Sequence, residues 1–121
     1  MLAAKNKSPG LHRRTVGALL LGLTALLALP ADAQPVELTI TVQGNKFSPA
    51  ELNAPANTPI TLRVKNLDPT PIEFESRTLR VEKVMTGNSE ITINVRAQKP
   101  GRYEFFDEYH ENTTRGVLVV K

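Results

Sequence analysis

The strongest constraint in this sequence is a repeated alternation of apolar and polar residues. Leu38, Ile40 and Val42 alternate with polar neighbours, and the same period of two recurs in segments 60–65 and 91–95. Such a period puts every second side chain on one face and is typical of a half-buried β-strand. The sequence after residue 33 has no convincing helical apolar period. The pattern therefore predicts an all-β fold.

Turn signals rich in Gly, Pro and Asn separate the alternating segments; they lie at 44–45, 53–59, 66–71, 86–89 and 99–102. About seven short strands spaced about ten residues apart indicate an antiparallel β-sandwich. Segment 46–53 contains Pro49, which favours an edge or irregular strand there. We expect one domain over residues 34–121.

The N-terminus has the three parts of a secretory signal. Residues 1–15 carry basic side chains and no acid, 16–29 are apolar, and Ala31-Asp32-Ala33 is a small-x-small cleavage sequence. The alternative is a membrane anchor, but about 14 apolar residues span only about 21 Å as a helix, short of a hydrocarbon core of about 30 Å. We predict that residues 1–33 are cleaved on export to the periplasm, leaving no membrane anchor. Arg13-Arg14 leaves open whether the general or the twin-arginine route is used.

Charge and composition exclude several function classes. The whole chain has a formal charge of +3, but residues 34–121 hold eleven basic and eleven acidic residues. The bases are scattered and aromatic residues are few, which argues against a nucleic-acid partner. The absence of cysteine excludes disulfides, zinc fingers, iron–sulfur clusters and a copper thiolate site. No nucleophile–base pair is visible, so a stand-alone hydrolytic or group-transfer enzyme is not expected.

Two acidic segments remain as candidates for chemistry. The first contains Asp107, Glu108, His110 and Glu111 in a predicted polar loop, and Glu108 and His110 would share one side of an extended backbone. The alternative for this loop is an acidic surface with a solvated histidine. The second segment has Glu73 and Glu75 on one strand face, with Glu82 nearby; nearby Arg and Lys side chains could neutralise these acids. Only convergence of the two segments in space would make one site.

These segments resemble the cupredoxin-like domain family. The resemblance rests on Pro71-Ile72-Glu73-Phe74-Glu75-Ser76, on Lys99-Pro100-Gly101-Arg102-Tyr103-Glu104-Phe105-Phe106, on His110 and on Arg115-Gly116-Val117-Leu118-Val119-Val120. It covers about residues 37–121 and implies a Greek-key β-sandwich. In copper-binding members the ligands come from the loop after the middle strand and from the C-terminal loop.

The copper ligands of that family are largely replaced here. By the resemblance, Asp107 stands where the cysteine is expected, Thr113 and Thr114 stand near the axial methionine, and Ile72 takes the place often held by the first histidine. Only His110 is kept. A blue-copper centre is therefore not expected.

The sequence is similar to a cysteine-free subgroup that resembles periplasmic components of bacterial iron uptake systems. This resemblance implies a copper or iron ion, a ferroxidase-like redox role, and an iron permease or periplasmic iron-binding protein as partner. The implied metal ligands are Glu75, Glu108 and His110, followed by Glu73 and Asp107, with Glu82 and Glu111 outside the main set. Such carboxylates and one imidazole suit Cu(II), Fe(III), Fe(II) or Mn(II).

A different function class stays open at this point. Loss of the cysteine, the methionine and the first histidine is what a decayed metal site would leave. The alternative is therefore a structural or interaction β-sandwich that has lost its metal.

Overall fold

A computed structural model of the chain describes residues 34–121, together with isolated positions 3, 10, 17, 18 and 22. The predicted export signal falls almost wholly on residues outside this description, and it stays a prediction. Within the described part, no helix has the length and apolar character needed to cross a membrane.

Nine strands make up the fold over residues 34–121, which confirms the all-β prediction. They are β1 (Val36–Gln43), β2 (Lys46–Ser48), β3 (Glu51–Ala54), β4 (Ile60–Asn66), β5 (Ile72–Ser76), β6 (Val81–Met85), β7 (Ser89–Val95), β8 (Gly101–Asp107) and β9 (Arg115–Val120). A 3₁₀ turn, Glu108–His110, follows β8. The two strands beyond the expected seven are β2 and β3, which lie on either side of Pro49 in the segment predicted to be an edge.

The strands form two sheets, one in the order β2-β1-β4-β7 and the other in the order β3-β9-β8-β5-β6. Both sheets are mixed, because β1 pairs with β4 and β3 pairs with β9 in parallel. The predicted β-sandwich is confirmed, and within it the β1–β4 and β3–β9 pairings are parallel where antiparallel neighbours were expected. The physical reason is that the chain leaves the first sheet after β2, adds β3 to the second, and returns as β4 beside β1.

One hydrophobic core receives side chains from both sheets. Ile40, Val42 and Val64 are fully buried on the faces that the alternation predicted. Phe47 of the four-stranded sheet contacts two rings of the other sheet edge-on, with centroids 5.9 Å from Phe74 and 5.1 Å from Phe105. Such edge-to-face contacts between aromatic rings add to the stabilisation from apolar burial. The three rings therefore pack the two sheets against each other, and Phe105 makes this contact from β8.

Gly116 is required where β9 passes this aromatic group. A Cβ at this position would lie 2.3 Å from the Phe105 ring and 2.9 Å from the Ala50 carbonyl oxygen. No side chain fits in that space, so the backbone of β9 packs directly on the ring. This contact fixes the start of β9 and hence the end of the loop that leaves β8.

Candidate metal site

The outer face of β5 carries two half-buried carboxylates. Ile72, Phe74 and Ser76 point into the sandwich and are fully buried. Because successive side chains of a strand point to opposite faces, Glu73 and Glu75 point outward. The predicted placement of these two glutamates on one strand face is confirmed.

The β5–β6 register adds a third carboxylate to this face. Glu75 lies directly opposite Glu82, and Glu73 lies opposite Val84. Glu82 is therefore the diagonal neighbour of Glu73 on the same face, within reach of a long side chain. Directly opposed like charges destabilise a strand pair. The hairpin thus keeps an arrangement that a purely structural sheet would avoid.

Glu108 completes the group from the other segment of the chain. It begins the 3₁₀ turn that follows β8, next to the start of β5. One carboxylate oxygen each from Glu73, Glu82 and Glu108 lies within 4.8 Å of the other two. We call these three residues the carboxylate cluster. The two acidic segments that are separate in sequence therefore converge.

The carboxyl groups on this face lie close enough together to raise one another's pKa values. The pKa of Glu73 is raised from 4.5, mainly by a side-chain hydrogen bond with Glu82 and by partial loss of solvent, against an opposing hydrogen bond with Glu108. The pKa of Glu75 is raised mainly by a side-chain hydrogen bond with Glu108, and Arg77 acts in the opposite direction. Carboxyl groups whose pKa values are raised by neighbouring carboxyl groups lie where a cation would be favourable.

The cluster fits a metal ion by spacing and by donor type. Metal–oxygen bonds of about 2.0–2.2 Å allow two oxygens on one ion to lie up to about 4.4 Å apart. The three oxygens lie within 4.8 Å of one another, so small rotations of the glutamate side chains would bring them to this spacing. Three carboxylates form a hard, oxygen-only donor set, which suits Cu(II), Fe(II), Fe(III) or Mn(II) and disfavours Cu(I).

Asp107 and His110 form a second, separate arrangement. The Asp107 side chain is fully buried, and its Oδ2 lies 2.8 Å from Nδ1 of His110. Its Oδ1 accepts hydrogen bonds from the backbone N–H groups of Glu73 at 3.0 Å and Tyr109 at 3.1 Å. Both oxygens of this predicted ligand therefore have protein partners. In the structure Asp107 is therefore hydrogen-bonded to His110 and is not a member of the carboxylate cluster.

His110 lies at the end of the 3₁₀ turn with about a third of its side chain exposed. Its carbonyl oxygen accepts hydrogen bonds from the N–H groups of Thr113 and Thr114, and the Thr114 carbonyl accepts one from the Asp107 N–H. The Thr114 hydroxyl donates to the Asn45 carbonyl in the β1–β2 turn. The loop is therefore closed on itself and anchored to the other sheet. The imidazole does not belong to the group of oxygens within 4.8 Å.

The residues at the thiolate copper positions of the resemblance do not fit such a copper ion. Ile72 is a fully buried hydrocarbon, Thr114 is buried with its hydroxyl bonded to backbone, and Asp107 occupies Nδ1 of His110. The sequence has no cysteine to supply a thiolate. We therefore derive no chemistry from a copper ion at these positions.

Two arginines form ion pairs with the acids next to the cluster. Arg77 lies 3.6 Å from Glu75 and 3.9 Å from Glu111, and Arg115 lies 3.1 Å from Glu111. Both guanidinium groups also stack on the outward-facing Phe106 ring, at 5.2 and 5.4 Å from its centroid. Glu111 is thus neutralised by two arginines, which supports its place outside the main ligand set.

Of the five ligands that the resemblance implied, Glu73 and Glu108 belong to the carboxylate cluster, whereas Glu75, Asp107 and His110 do not. Glu73 and Glu108 do converge, and the pKa of Glu75 reports its contact with Glu108. Glu82 is expected outside the main ligand set, yet it is a full member of the cluster. The signal that could have found it is the Glu75–Glu82 pairing across a hairpin whose turn is at 77–80.

Comparison with known proteins gives a consistent family match. Residues 16–120 match the family model of the cupredoxin-like domain. An uncharacterized protein from Rickettsia prowazekii (strain Madrid E) is 38% identical over 85 residues, covering 70% of this chain and 68% of the relative.

Solved structures of copper proteins share the architecture. Auracyanin A, a blue copper protein from Chloroflexus aurantiacus, has a TM-score of 0.62 at 17% identity, covering 73% of this chain and 100% of its own. The metal-binding domain of the Cu(I)-exporting P-type ATPase CopA from Streptococcus pneumoniae D39, solved with Cu(I), has a TM-score of 0.64 at 18% identity, covering 77% and 90%. At these identities the likeness shows the fold.

Proposed function

This chain belongs to the cupredoxin-like domain family, and we propose that it is an exported protein that binds a copper or iron ion through carboxylates. The observation that carries the proposal is the convergence of Glu73, Glu82 and Glu108, whose oxygens lie within 4.8 Å of one another. Sheets in which like charges face each other are disfavoured unless something offsets the repulsion. In this proposal a bound cation would offset it.

The carboxylate donors restrict which metal ion, and which role for it, can be proposed. Carboxylate oxygens favour the higher oxidation state of iron and copper over Cu(I). Glu73, Glu82 and Glu108 would hold the ion, which would supply one-electron redox chemistry: iron being taken up would be oxidised from Fe(II) to Fe(III), and its electron would pass by way of the ion to dioxygen. We therefore propose that the protein assists iron oxidation or transfer, with an iron permease or a periplasmic iron-binding protein as its partner. The predicted export signal places this activity in the periplasm.

The chain's own residues have distinct tasks in this proposal. Glu73 and Glu82 offer oxygens from a rigid hairpin, and Glu108 closes the site from the 3₁₀ turn. Glu75 lies beside Glu108, which raises the pKa of the Glu75 carboxyl, and it adds negative charge next to the site when ionised. His110 lies two residues after Glu108 in the chain and is proposed as a further ligand from outside the group of oxygens within 4.8 Å. Because ligands must lose protons to bind, metal affinity falls as pH is lowered.

Calorimetric titration of the purified protein tests the proposal, using Cu(II) in air and Fe(II) under anaerobic conditions. We expect each of Glu73→Gln, Glu82→Gln and Glu108→Gln to lower the affinity by about tenfold or more, equivalent to about 1.4 kcal/mol. Glu51→Gln is the matched control, because Glu51 is exposed on β3, at the opposite edge of the same sheet. Binding weaker than about millimolar, or unchanged in all three variants, would contradict the proposal.

Two further measurements separate the parts of the proposal. The initial rate of ferrous iron loss in air, with copper-loaded protein and with Glu82→Gln, tests the redox role. Cell fractionation with N-terminal sequencing tests export and cleavage after Ala33. Retention of residues 1–33 in a cytoplasmic protein would remove the uptake role and leave the metal site standing.

A second candidate function rests on the end of the sandwich. Ile72, Asp107 and Thr114 fill the copper positions of the resemblance with packing and hydrogen bonds. This arrangement favours a structural or interaction sandwich that has replaced its metal by internal contacts. The same titration decides between the two, since this alternative predicts no saturable binding of either metal.

A further inference from the structure

A buried carboxylate governs which nitrogen of His110 faces outward. Asp107 is fully buried, and its Oδ2 lies 2.8 Å from Nδ1 of His110. An ionised carboxylate only accepts hydrogen bonds. When the imidazole is neutral, Nδ1 must therefore carry the proton that is donated to Asp107. The lone pair of the neutral ring then lies on Nε2.

Further hydrogen bonds hold the Asp107 carboxylate in the orientation that faces His110. Its Oδ1 accepts from the Glu73 and Tyr109 N–H groups, so the carboxylate is tied to the start of β5 and to the 3₁₀ turn. Asp107 also caps that turn, which ends at His110. One buried side chain thus connects the strand that carries the carboxylate cluster with the loop that carries the imidazole.

We propose that Asp107 is a positioning residue that holds His110 in its Nδ1–H tautomer and so makes Nε2 the atom that His110 offers to a metal ion. The part about the metal rests on the proposed function; the tautomer does not. A carboxylate that accepts from the second nitrogen of a metal-binding histidine fixes the ring and raises its basicity, with effects on metal affinity of about 10–100-fold. In this proposal Asp107, which the resemblance places at the position of the expected cysteine, supports a ligand and is not itself a ligand.

Because two backbone N–H groups donate to Asp107, the substitution Asp107→Asn tests which tautomer His110 adopts. In Asp107→Asn, the amide oxygen must face the two backbone N–H groups, because an NH₂ group there would meet two donors. The amide NH₂ then points at Nδ1 of His110 and needs an acceptor. This forces the proton to Nε2 and inverts the tautomer. The same exchange traps the wrong tautomer in an Asp–His–Ser triad.

The test is nitrogen NMR of the ¹⁵N-histidine-labelled protein without metal at about pH 8.5, well above the ordinary imidazole pKa of about 6.5. Long-range proton–nitrogen correlations identify which ring nitrogen is protonated. His110→Ala identifies the signals of His12 if the first residues are retained. We expect Nδ1–H in the wild type and Nε2–H in Asp107→Asn, while Glu104→Gln on the exposed face of β8 keeps Nδ1–H. Circular dichroism shows whether each variant is folded.

Titration with Cu(II) gives the second readout. We expect Asp107→Asn and His110→Ala to lose the same factor in affinity, about 10–100-fold. An Nε2–H tautomer in the wild type, or an Nδ1–H tautomer retained in Asp107→Asn, overturns the inference. So does wild-type affinity in Asp107→Asn alongside a loss in His110→Ala. Absence of metal binding in the wild type defeats the proposed function, and the tautomer result then stands alone.

Discussion

The outer faces of the two sheets carry the same kinds of residue but arrange their charges differently. On the four-stranded sheet, Arg63 lies 3.4 Å from Glu37 and 3.6 Å from Glu90, and Lys65 lies 4.0 Å from Glu90. The basic residues are on the central strand β4, between acidic residues of β1 and β7. Each glutamate of this group therefore has a cationic neighbour across the strands. We call this outer face of the four-stranded sheet the paired face.

On the five-stranded sheet, glutamate faces glutamate. Glu75 is paired with Glu82, and Glu108 approaches from the loop, while Arg77 and Arg115 lie at one border. The neighbouring carboxyl groups accordingly raise the pKa values of Glu73 and Glu75. The difference between the two faces shows that the residue types on a strand do not by themselves make a metal site. The register decides whether an acid meets a base or another acid.

The largest effect is expected from giving the acidic face the pattern of the other sheet. Glu82→Lys places a cation opposite Glu75, removes one ligand and adds a positive charge beside any bound ion. We expect the affinity for Cu(II) to fall by about 100-fold or more. Glu51→Lys, at the other edge of the same sheet, is the matched charge change and should leave the affinity within a factor of about two of the wild type. Equal losses in both variants would mean that net charge, and not the cluster, attracts the metal.

The opposite conversion tests whether three acids on a sheet are enough. Arg63→Glu removes two ion pairs from the four-stranded sheet and brings three glutamates together. We expect a loss of about 1 kcal/mol in the free energy of unfolding, because exposed pairs contribute only about 0.2–1 kcal/mol each. The loss should shrink as salt is added. Urea denaturation at low and high salt measures it.

The same variant carries a second readout for the comparison. Binding of a second Cu(II) ion by Arg63→Glu, as tight as the first, would show that clustered carboxylates on any face of this fold suffice. In that case the placement of Glu108 beside the β5–β6 hairpin would have no special role.

The pH dependence of stability distinguishes the two faces without any metal. The pKa of Glu73 is raised above 4.5 on folding, so the folded state holds this proton more tightly than the unfolded state. This contribution to stability is present below about pH 4.5 and is lost as pH rises through the raised pKa. Glu73→Gln keeps a neutral side chain at all pH values. With a chelator present, it should melt close to the wild type at pH 4 and above it at pH 7.

At pH 7, added metal should reverse the order of the two melting temperatures, because it stabilises the wild type more than Glu73→Gln. Glu37→Gln is the control from the paired face, where neutralising the acid breaks an ion pair and should not raise the melting temperature at pH 7. A Glu73→Gln variant that melts below the wild type at pH 7 would contradict the like-charge account of the cluster.

The smallest effect is expected at the margin of the paired face. Lys65→Met removes the longest ion pair, 4.0 Å from Glu90, in which both side chains are over 40% exposed. We expect a change of less than about 0.5 kcal/mol in the free energy of unfolding and no change in metal affinity. Denaturant titration and calorimetry check both. A loss above about 1 kcal/mol would mean that the paired face depends on its charges more than exposed ion pairs usually do.

Much of the fold could be predicted because burial follows the period of a strand. Leu38, Ile40 and Val42 face inward as the alternation indicates, and Gly44-Asn45 forms the turn, with both residues at positive φ. The parallel pairings could not be predicted, since alternation assigns a face but no neighbour. The site was predicted in part for the same reason: Glu73 and Glu75 share a face by periodicity, whereas Glu82 joins them only through the hairpin register.

The sequence by itself determined the all-β fold and the supply of ligands. It has no cysteine and is rich in carboxylates around one histidine, so composition alone excludes a thiolate centre. Only the tertiary structure decided which acids meet. It set Glu73, Glu82 and Glu108 within 4.8 Å and placed Asp107 inside, bonded to His110. The physical reason is that composition and period act within one strand, while a metal site depends on distances between side chains of different strands and loops, which register and packing fix.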